Sequence, residues 1–408
     1  METLKELYKI GAGPSSSHTM GPTRAGSTFL SQYPLADRYE VTLFASLAAT
    51  GRGHLTDAAL NKVFDKKNFT IVWKPDVELP MHPNGMHFKA YNSNNILIGE
   101  WQVYSIGGGS VSETGDKTAH NIYSLQKMDE ILEYCEENGL TFWEYILEQE
   151  GPEILDYTEE VWQVMDDSIK RGLDEEGVLP GGLGVPRKAN TLSRKIKRAA
   201  PIYRKGMNIT SYALAVSEEN ASGNVIVTAP TCGACGVLPA TLKFCLMQME
   251  SSEKEVSRAL LTAGLIGNLV KQNGSISGAE VGCQGEVGTA CAMAAGAVTQ
   301  ILGGTPRQIE YAAEMGLEHH LGLTCDPVMG LVQIPCIERN AFAAKQAISC
   351  AEYALFSDGG HRISFDEVVS VMTQTGKDLS PSYRETSVGG LAEAYAKRVR
   401  KGNERNKS

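Results

Sequence analysis

The spacing of apolar residues changes character part-way along the chain. In the first third, short apolar runs punctuated by Gly, Asn and Pro predict strands at Val41–Leu47, Phe69–Trp73, Met86–Tyr91 and Asn95–Tyr104. Gly21–Tyr33 carries helical spacing, and Lys5–Ile10 reads as the end of a short helix running into the turn Gly11-Ala12-Gly13-Pro14. Beyond about residue 155 the strand signals nearly vanish. Apolar positions three and four apart predict helices over Glu159–Arg171, Asn208–Asn220, Ser257–Lys271, Glu286–Leu302, Pro306–Leu317, Arg339–Ala354 and Phe365–Thr375. Gly/Pro-rich loops at Gly177–Pro186, Ala229–Pro239 and Gly322–Pro335 separate them. The pattern predicts an α+β two-domain chain: an N-terminal α/β domain over 1–150, then an all-α domain over 155–408.

Size agrees with that division, because 408 residues exceed what one hydrophobic core usually serves. A formal net charge of -10 argues against nucleic acid or an anionic membrane as partner. The one basic cluster, Lys397, Arg398, Arg400, Lys401 and Arg405, reads as a solvated helix end. The apolar stretches Val256–Val270 and Ala290–Leu302 are interrupted by charge or too short to span a bilayer, and the N-terminus lacks a secretory pattern. Nine cysteines is an odd count, and only Cys135 precedes Cys232. A secreted disulfide scaffold would be shorter and denser in Cys, so a cytoplasmic protein with buried, metal-binding or catalytic thiols is expected.

Four loops could carry chemistry. Gly11–Pro22 packs Ser15, Ser16, Ser17, His18 and Thr19 between two Gly-Pro pairs; its hydroxyls and amides suit a carboxylate at a helix start. Thr50–Asp57 places His54 just after a predicted strand, where it could act as a general base. Ser105-Ile-Gly107-Gly-Gly109 could turn backbone amides toward an anion. Cys232-Gly-Ala-Cys235 has the gap of zinc and dithiol sites but lacks a second pair, so it reads as two small thiols in a tight loop, lining the site at most. His82 and His87 have no metal spacing. Cys283, Cys325 and Cys336 each sit beside Gly or Pro in separate loops, one ligand short of a complete [4Fe–4S] set. Spacing alone does not separate these three from unrelated buried thiols.

Together these segments resemble the iron–sulfur-dependent L-serine dehydratases in their single-chain form. The resemblance runs through Gly13-Pro-Ser-Ser-Ser-His18-Thr, Gly53-His54, Asn84-Gly-Met86, Ser105–Gly109, Gly177–Gly181, Thr228–Thr231, Ser275–Gly288, Gly322–Pro327, Pro335–Asn340 and Tyr383–Ser387. It implies a substrate-loop domain, a helical domain holding a [4Fe–4S] cluster on Cys283, Cys325 and Cys336, and a homodimer. It also implies conversion of L-serine to pyruvate and ammonia, in amino-acid catabolism or gluconeogenesis. His54 and His18 fall where the family has catalytic or substrate-contacting histidines. Ser15, Ser16, Ser17, Thr19, Ser105 and Gly107 fall on its substrate loops.

Some features depart from the family pattern. The chain reads short around Val63–Pro80, has Cys232 where Asn is expected, and lacks the closing cysteine that caps the open iron in some members. A pyridoxal-phosphate dehydratase is the rival enzyme, with Lys188 and Lys271 as its nearest lysines. A cluster-based redox sensor is the rival outside catalysis.

Overall fold

In the computed structural model, which describes residues 1–114 and 121–405, a five-stranded mixed sheet forms the N-terminal core. Its strand order is Phe69–Lys74, Arg38–Phe44, Gly85–Tyr91, Leu97–Gly107, Ser110–Ser112. The first two run parallel, joined by a crossover through the helix Thr56–Val63; the others are antiparallel. Alternation sets the buried face. Tyr39, Val41 and Leu43 pair with Ala90, Phe88 and Met86, and all six are buried. Phe29 from the Gly21–Gln32 helix and Leu60 and Phe64 from the crossover close this core.

Two expectations for this region need correction. The run Val41–Leu47 stops being a strand at Phe44, because Ala45 takes a φ of 39° and starts the helix Ala45–Thr50. Lys5–Ile10 is not the end of a regular helix. A single tight turn covers Leu4–Glu6, and Ile10–Ala12 then pairs antiparallel with Val225–Val227. The reason is burial: Leu4, Leu7 and Tyr8 sink into the helical part, where Tyr8 Oη donates to Leu260 O at 2.8 Å.

The helical part is built around Thr289–Ile301. Its Ala290, Ala292, Ala294, Ala295 and Ala297 are fully buried among Glu253–Asn273, Pro306–Glu318 and Cys336–Leu355. Close approach requires small residues: a Cβ on Gly316 would stand 2.9 Å from the Ala292 backbone. The expected helices all occur; Phe365–Asp378 runs about one turn longer than expected, and Ile154–Asp174 and Pro201–Ala221 about two. Ser252/Glu255, Thr305/Gln308 and Ser364/Glu367 form reciprocal caps at three starts. The helices Met128–Asn138 and Phe142–Glu150 also pack on this helical core, through Met128, Ile131, Phe142 and Tyr145.

Among the described residues no helix is long and apolar enough to cross a membrane. The closing helix, Gly390–Arg405, carries the basic cluster; residues 406–408 lie outside the described residues.

Candidate active site and metal centre

The three cysteines come from three separate breaks between helices. Cys283 precedes the widened turn Gln284–Gly288 that opens the Ala-rich helix. Gln284 ties that break to the Cys325 loop: its backbone N–H donates to Leu323 O, and its Oε1 accepts the Gly322 N–H at 2.9 Å. Cys325 is paired on its other side. Its N–H donates to Tyr383 O and its carbonyl accepts from Glu385 N, both at 2.7 Å. Cys336 begins the helix Cys336–Leu355, one turn before Arg339 and Asn340. Arg339 reaches back to Thr324 O at 2.6 Å, while Asn340 accepts from Gly236 N at 2.9 Å and donates to Gly233 O at 2.7 Å. These pins hold five segments against one another.

All three thiols are buried, and they converge. Sγ of Cys283 and Cys325 and a Glu286 carboxylate oxygen lie within 4.8 Å of one another, a spacing able to hold a metal. Cys336 stands outside that tight group but lines the same pocket as Cys325 and Glu286. Cys283 raises the Cys325 thiol well above the usual range, with burial adding to it; burial, then Cys283 and Glu286, raise Cys336. Burial works against the Arg339 charge, yet Cys283 and Cys336 beside it hold its pKa up. A Cβ on Gly278 would lie 2.8 Å from Glu286 Oε2 and 3.2 Å from Cys325 Sγ, so this residue type keeps the space between them open. Soft thiolates beside a fixed cation, around a space kept free by glycine, suit an iron–sulfur centre.

Facing the thiols across the pocket are Ser15, Ser16, Ser17, His54 and Gly107. The Ser loop is folded on itself: Ser15 Oγ accepts the His18 N–H, and Thr19 Oγ1 donates to His54 O at 2.7 Å. Ser16 Oγ and the amides of Ser16 and Ser17 make no hydrogen bond to described residues. Gly13 lets the loop lie against the helical part, since a Cβ there would fall 2.0 Å from Asn220 Oδ1.

His18, Thr19 and Ser105 sit behind the pocket wall. Ser105 Oγ donates to Ser17 O at 2.7 Å. His18 uses both nitrogens, Nδ1 with Ser17 Oγ at 2.8 Å and Nε2 with Ser46 Oγ at 3.1 Å. His54 differs. It is 1% exposed, lines the pocket, and has a partner on neither nitrogen. Burial lowers its pKa to about 4, and burial, then the neighbouring His54, hold that of His18 well below the usual histidine range, so both rings are neutral at pH 7.

Four contributors were not singled out from the sequence. Thr231 donates to Glu286 Oε1 at 2.8 Å, Arg339 stands beside the thiols, and Glu286 and Glu385 bring two carboxylates to the pocket. Burial raises both carboxyls, and Glu286 helps push Glu385 up to about 8. The signal was present, since Glu286 and Glu385 lie in two of the resembling segments, but an acid in a loop carries no spacing rule. The Cys232-Gly-Ala-Cys235 expectation is corrected in one respect. Thr231 and Gly233 line the pocket, whereas the Cys232 and Cys235 thiols turn away into an apolar cluster with Met20, Ile169, Val216 and Ile226.

Fold and site together define a two-domain enzyme in which a thiol-lined metal centre faces a wall of hydroxyls and one free imidazole. Comparison with known proteins places it further. The serine dehydratase alpha chain model matches residues 115–392, and the serine dehydratase beta chain model matches 3–64 and 61–116, two pieces meeting next to the stretch that reads short. L-serine dehydratase 1 of Escherichia coli is 41% identical, over 96% of this chain and 99% of its own. L-serine dehydratases of Streptomyces coelicolor and Helicobacter pylori are 42% and 36% identical, over 95% and 96% of this chain and 97% and 98% of theirs. The chain belongs to the serine dehydratase family.

Proposed function

We propose that this protein eliminates ammonia from L-serine, giving pyruvate, with Cys283, Cys325 and Cys336 holding a [4Fe–4S] cluster. One observation carries the reading: the buried Cys325 and Cys336 thiols and the unpartnered His54 line one pocket, and the Cys283 thiol stands within 4.8 Å of Cys325 Sγ. The relatives named above, each called an L-serine dehydratase, supply the substrate. Residues 1–150 bring the hydroxyl loops and His54, and residues 155–408 bring the thiols.

Elimination needs help at both ends of the Cα–Cβ bond, because the α-proton is weakly acidic and hydroxide leaves poorly. The amides of Ser16 and Ser17 and the hydroxyls of Ser15, Ser16 and Ser17 hold the substrate carboxylate, with Gly107 leaving room beside them. Thr19 and Ser105 keep that loop folded. His54, neutral and without a competing hydrogen bond, takes the α-proton, and His18, tilted against it at 4.6 Å between ring centres, fixes its position. When bound, the cluster supplies a Lewis acid, through the iron without a cysteine, that polarises the departing hydroxyl. The Cα–H pair of electrons forms the C=C bond as the C–O bond breaks. The hydroxide leaves as water by taking the proton that His54 removed, which restores the neutral imidazole, and the aminoacrylate then hydrolyses to pyruvate and ammonia.

Lys188 pairs with Glu338 and Lys271 with Glu2, and neither lines this pocket, which favours the cluster over pyridoxal phosphate. All nine cysteines are free, which supports a reducing, cytoplasmic setting; a homodimer goes with the same reading. The test is anaerobic purification, with iron, sulfide and visible spectrum measured beside pyruvate and ammonia release from L-serine. An intact cluster with no pyruvate would favour a redox sensor and reject the proposal.

A further inference from the structure

The two carboxylates in the pocket are not equivalent. Glu286 is engaged: Oε1 accepts from Thr231 at 2.8 Å, and Oε2 lies 3.9 Å from Cys283 Sγ. The Glu385 carboxylate makes no hydrogen bond or ion pair with any described residue, although it lines the same wall and feels the charge of Glu286. The Glu385 backbone, at a φ of 58° in the left-handed region, is held by its own N–H on Cys325 O and by the Cys325 N–H on Tyr383 O. A strained residue carrying an unpartnered acid at a pocket wall points to a ligand with positive charge.

An amino-acid substrate brings three polar groups. In the reading above, the Ser loop takes the carboxylate, and the thiol-held centre takes the hydroxyl. The α-ammonium is left, and Ser15, Ser16, Ser17, His54 and the thiols offer it no anion. Of the pocket's two carboxylates, Glu286 is already tied down by Thr231. A cation placed beside Glu385 would also relieve its repulsion with Glu286.

We propose that Glu385 binds the α-ammonium of the substrate and thereby selects amino acids over the corresponding hydroxy acids. This rests on the serine-elimination reading of the pocket.

The experiment uses anaerobically purified holoenzyme, wild type, Glu385→Gln and Glu385→Asp. It measures the KM for L-serine and the inhibition constant of 3-hydroxypropanoate, which keeps the carboxylate and hydroxyl but has no ammonium. Glu385→Gln is expected to raise the KM for L-serine roughly 30-fold, the size of a lost charge-assisted contact. Its inhibition constant for 3-hydroxypropanoate should stay level or fall, and Glu385→Asp should lie between Gln and wild type. An unchanged KM, or equal weakening of both molecules, overturns the proposal. So does loss of iron, or a changed electron paramagnetic resonance signal in the substrate-free Gln variant, since Glu385 would then be serving the cluster. A wild-type enzyme with full iron and no serine turnover would instead reject the parent reading.

Discussion

The rings of His18 and His54 stand 4.6 Å apart, centre to centre, at 47° to each other, and of the two only His54 keeps both nitrogens without a partner. His18 spends its nitrogens on Ser17 and Ser46, one in the Ser loop and one in the helix before His54. The pair therefore divides into one ring free for chemistry and one that holds its surroundings.

That division predicts unequal losses. His54→Ala should lower kcat by roughly 10²- to 10⁴-fold, the usual worth of a general base, with iron and sulfide unchanged. His18→Ala should cost less in kcat and more in KM, because it loosens the Ser loop. Steady-state pyruvate formation under anaerobic conditions checks both. Near-normal turnover in His54→Ala would remove it as the base.

The same burial has a consequence for stability. An unfolded histidine titrates near 6.5, whereas burial holds folded His54 neutral down to about 4. Between those values the unfolded chain takes up a proton that the folded one refuses. Stability is therefore full above about pH 6.5 and is lost as pH falls toward 4, by on the order of 3 kcal/mol for this group. His18 acts in the same direction. Urea midpoints of the holo-protein between about pH 7.5 and about pH 5 should fall with pH, and His54→Gln should flatten the slope. An equal slope in wild type and variant would contradict this.

Gly278 gives a steric test of the metal centre. In Gly278→Ala the new Cβ meets Glu286 Oε2 and Cys325 Sγ at 2.8 and 3.2 Å. Iron and sulfide per chain should drop while the far-ultraviolet circular dichroism stays that of the wild type. Full iron in this variant would show that the space is not used.

Cys232 and Cys235 should behave as core residues. Their thiols pack on Met20, Ile169, Val216 and Ile226. Cys232→Ala and Cys235→Ala are expected to lose about 1–2 kcal/mol of stability with iron content unchanged, measured by denaturation and iron assay. Loss of iron at unchanged stability would instead make them ligands.

Local patterns read well from the chain. Helical periodicity placed Ser257–Lys271 and Phe365–Thr375 inside the observed helices Glu253–Asn273 and Phe365–Asp378, and the apolar run from Val41 is a strand as far as Phe44. What the sequence hid is non-local or short. The pairing of Ile10–Ala12 with Val225–Val227 joins three-residue segments over two hundred positions apart, too brief for any period to register. Glu385 reaches the pocket only because its backbone pairs with Cys325, some sixty positions earlier. The Cys232 pair shows the reverse failure. Its spacing suggested chemistry, but the direction of a side chain in a tight turn is set by packing, not by spacing.

The central claim is that Cys283, Cys325 and Cys336 hold one cluster that serves catalysis. Its most direct measurement is iron and sulfide per chain, beside anaerobic pyruvate formation from L-serine, in Cys283→Ala, Cys325→Ala and Cys336→Ala. Each variant is predicted to lose cluster and turnover together while keeping its helical content. Full iron and wild-type turnover in any one of the three would contradict it.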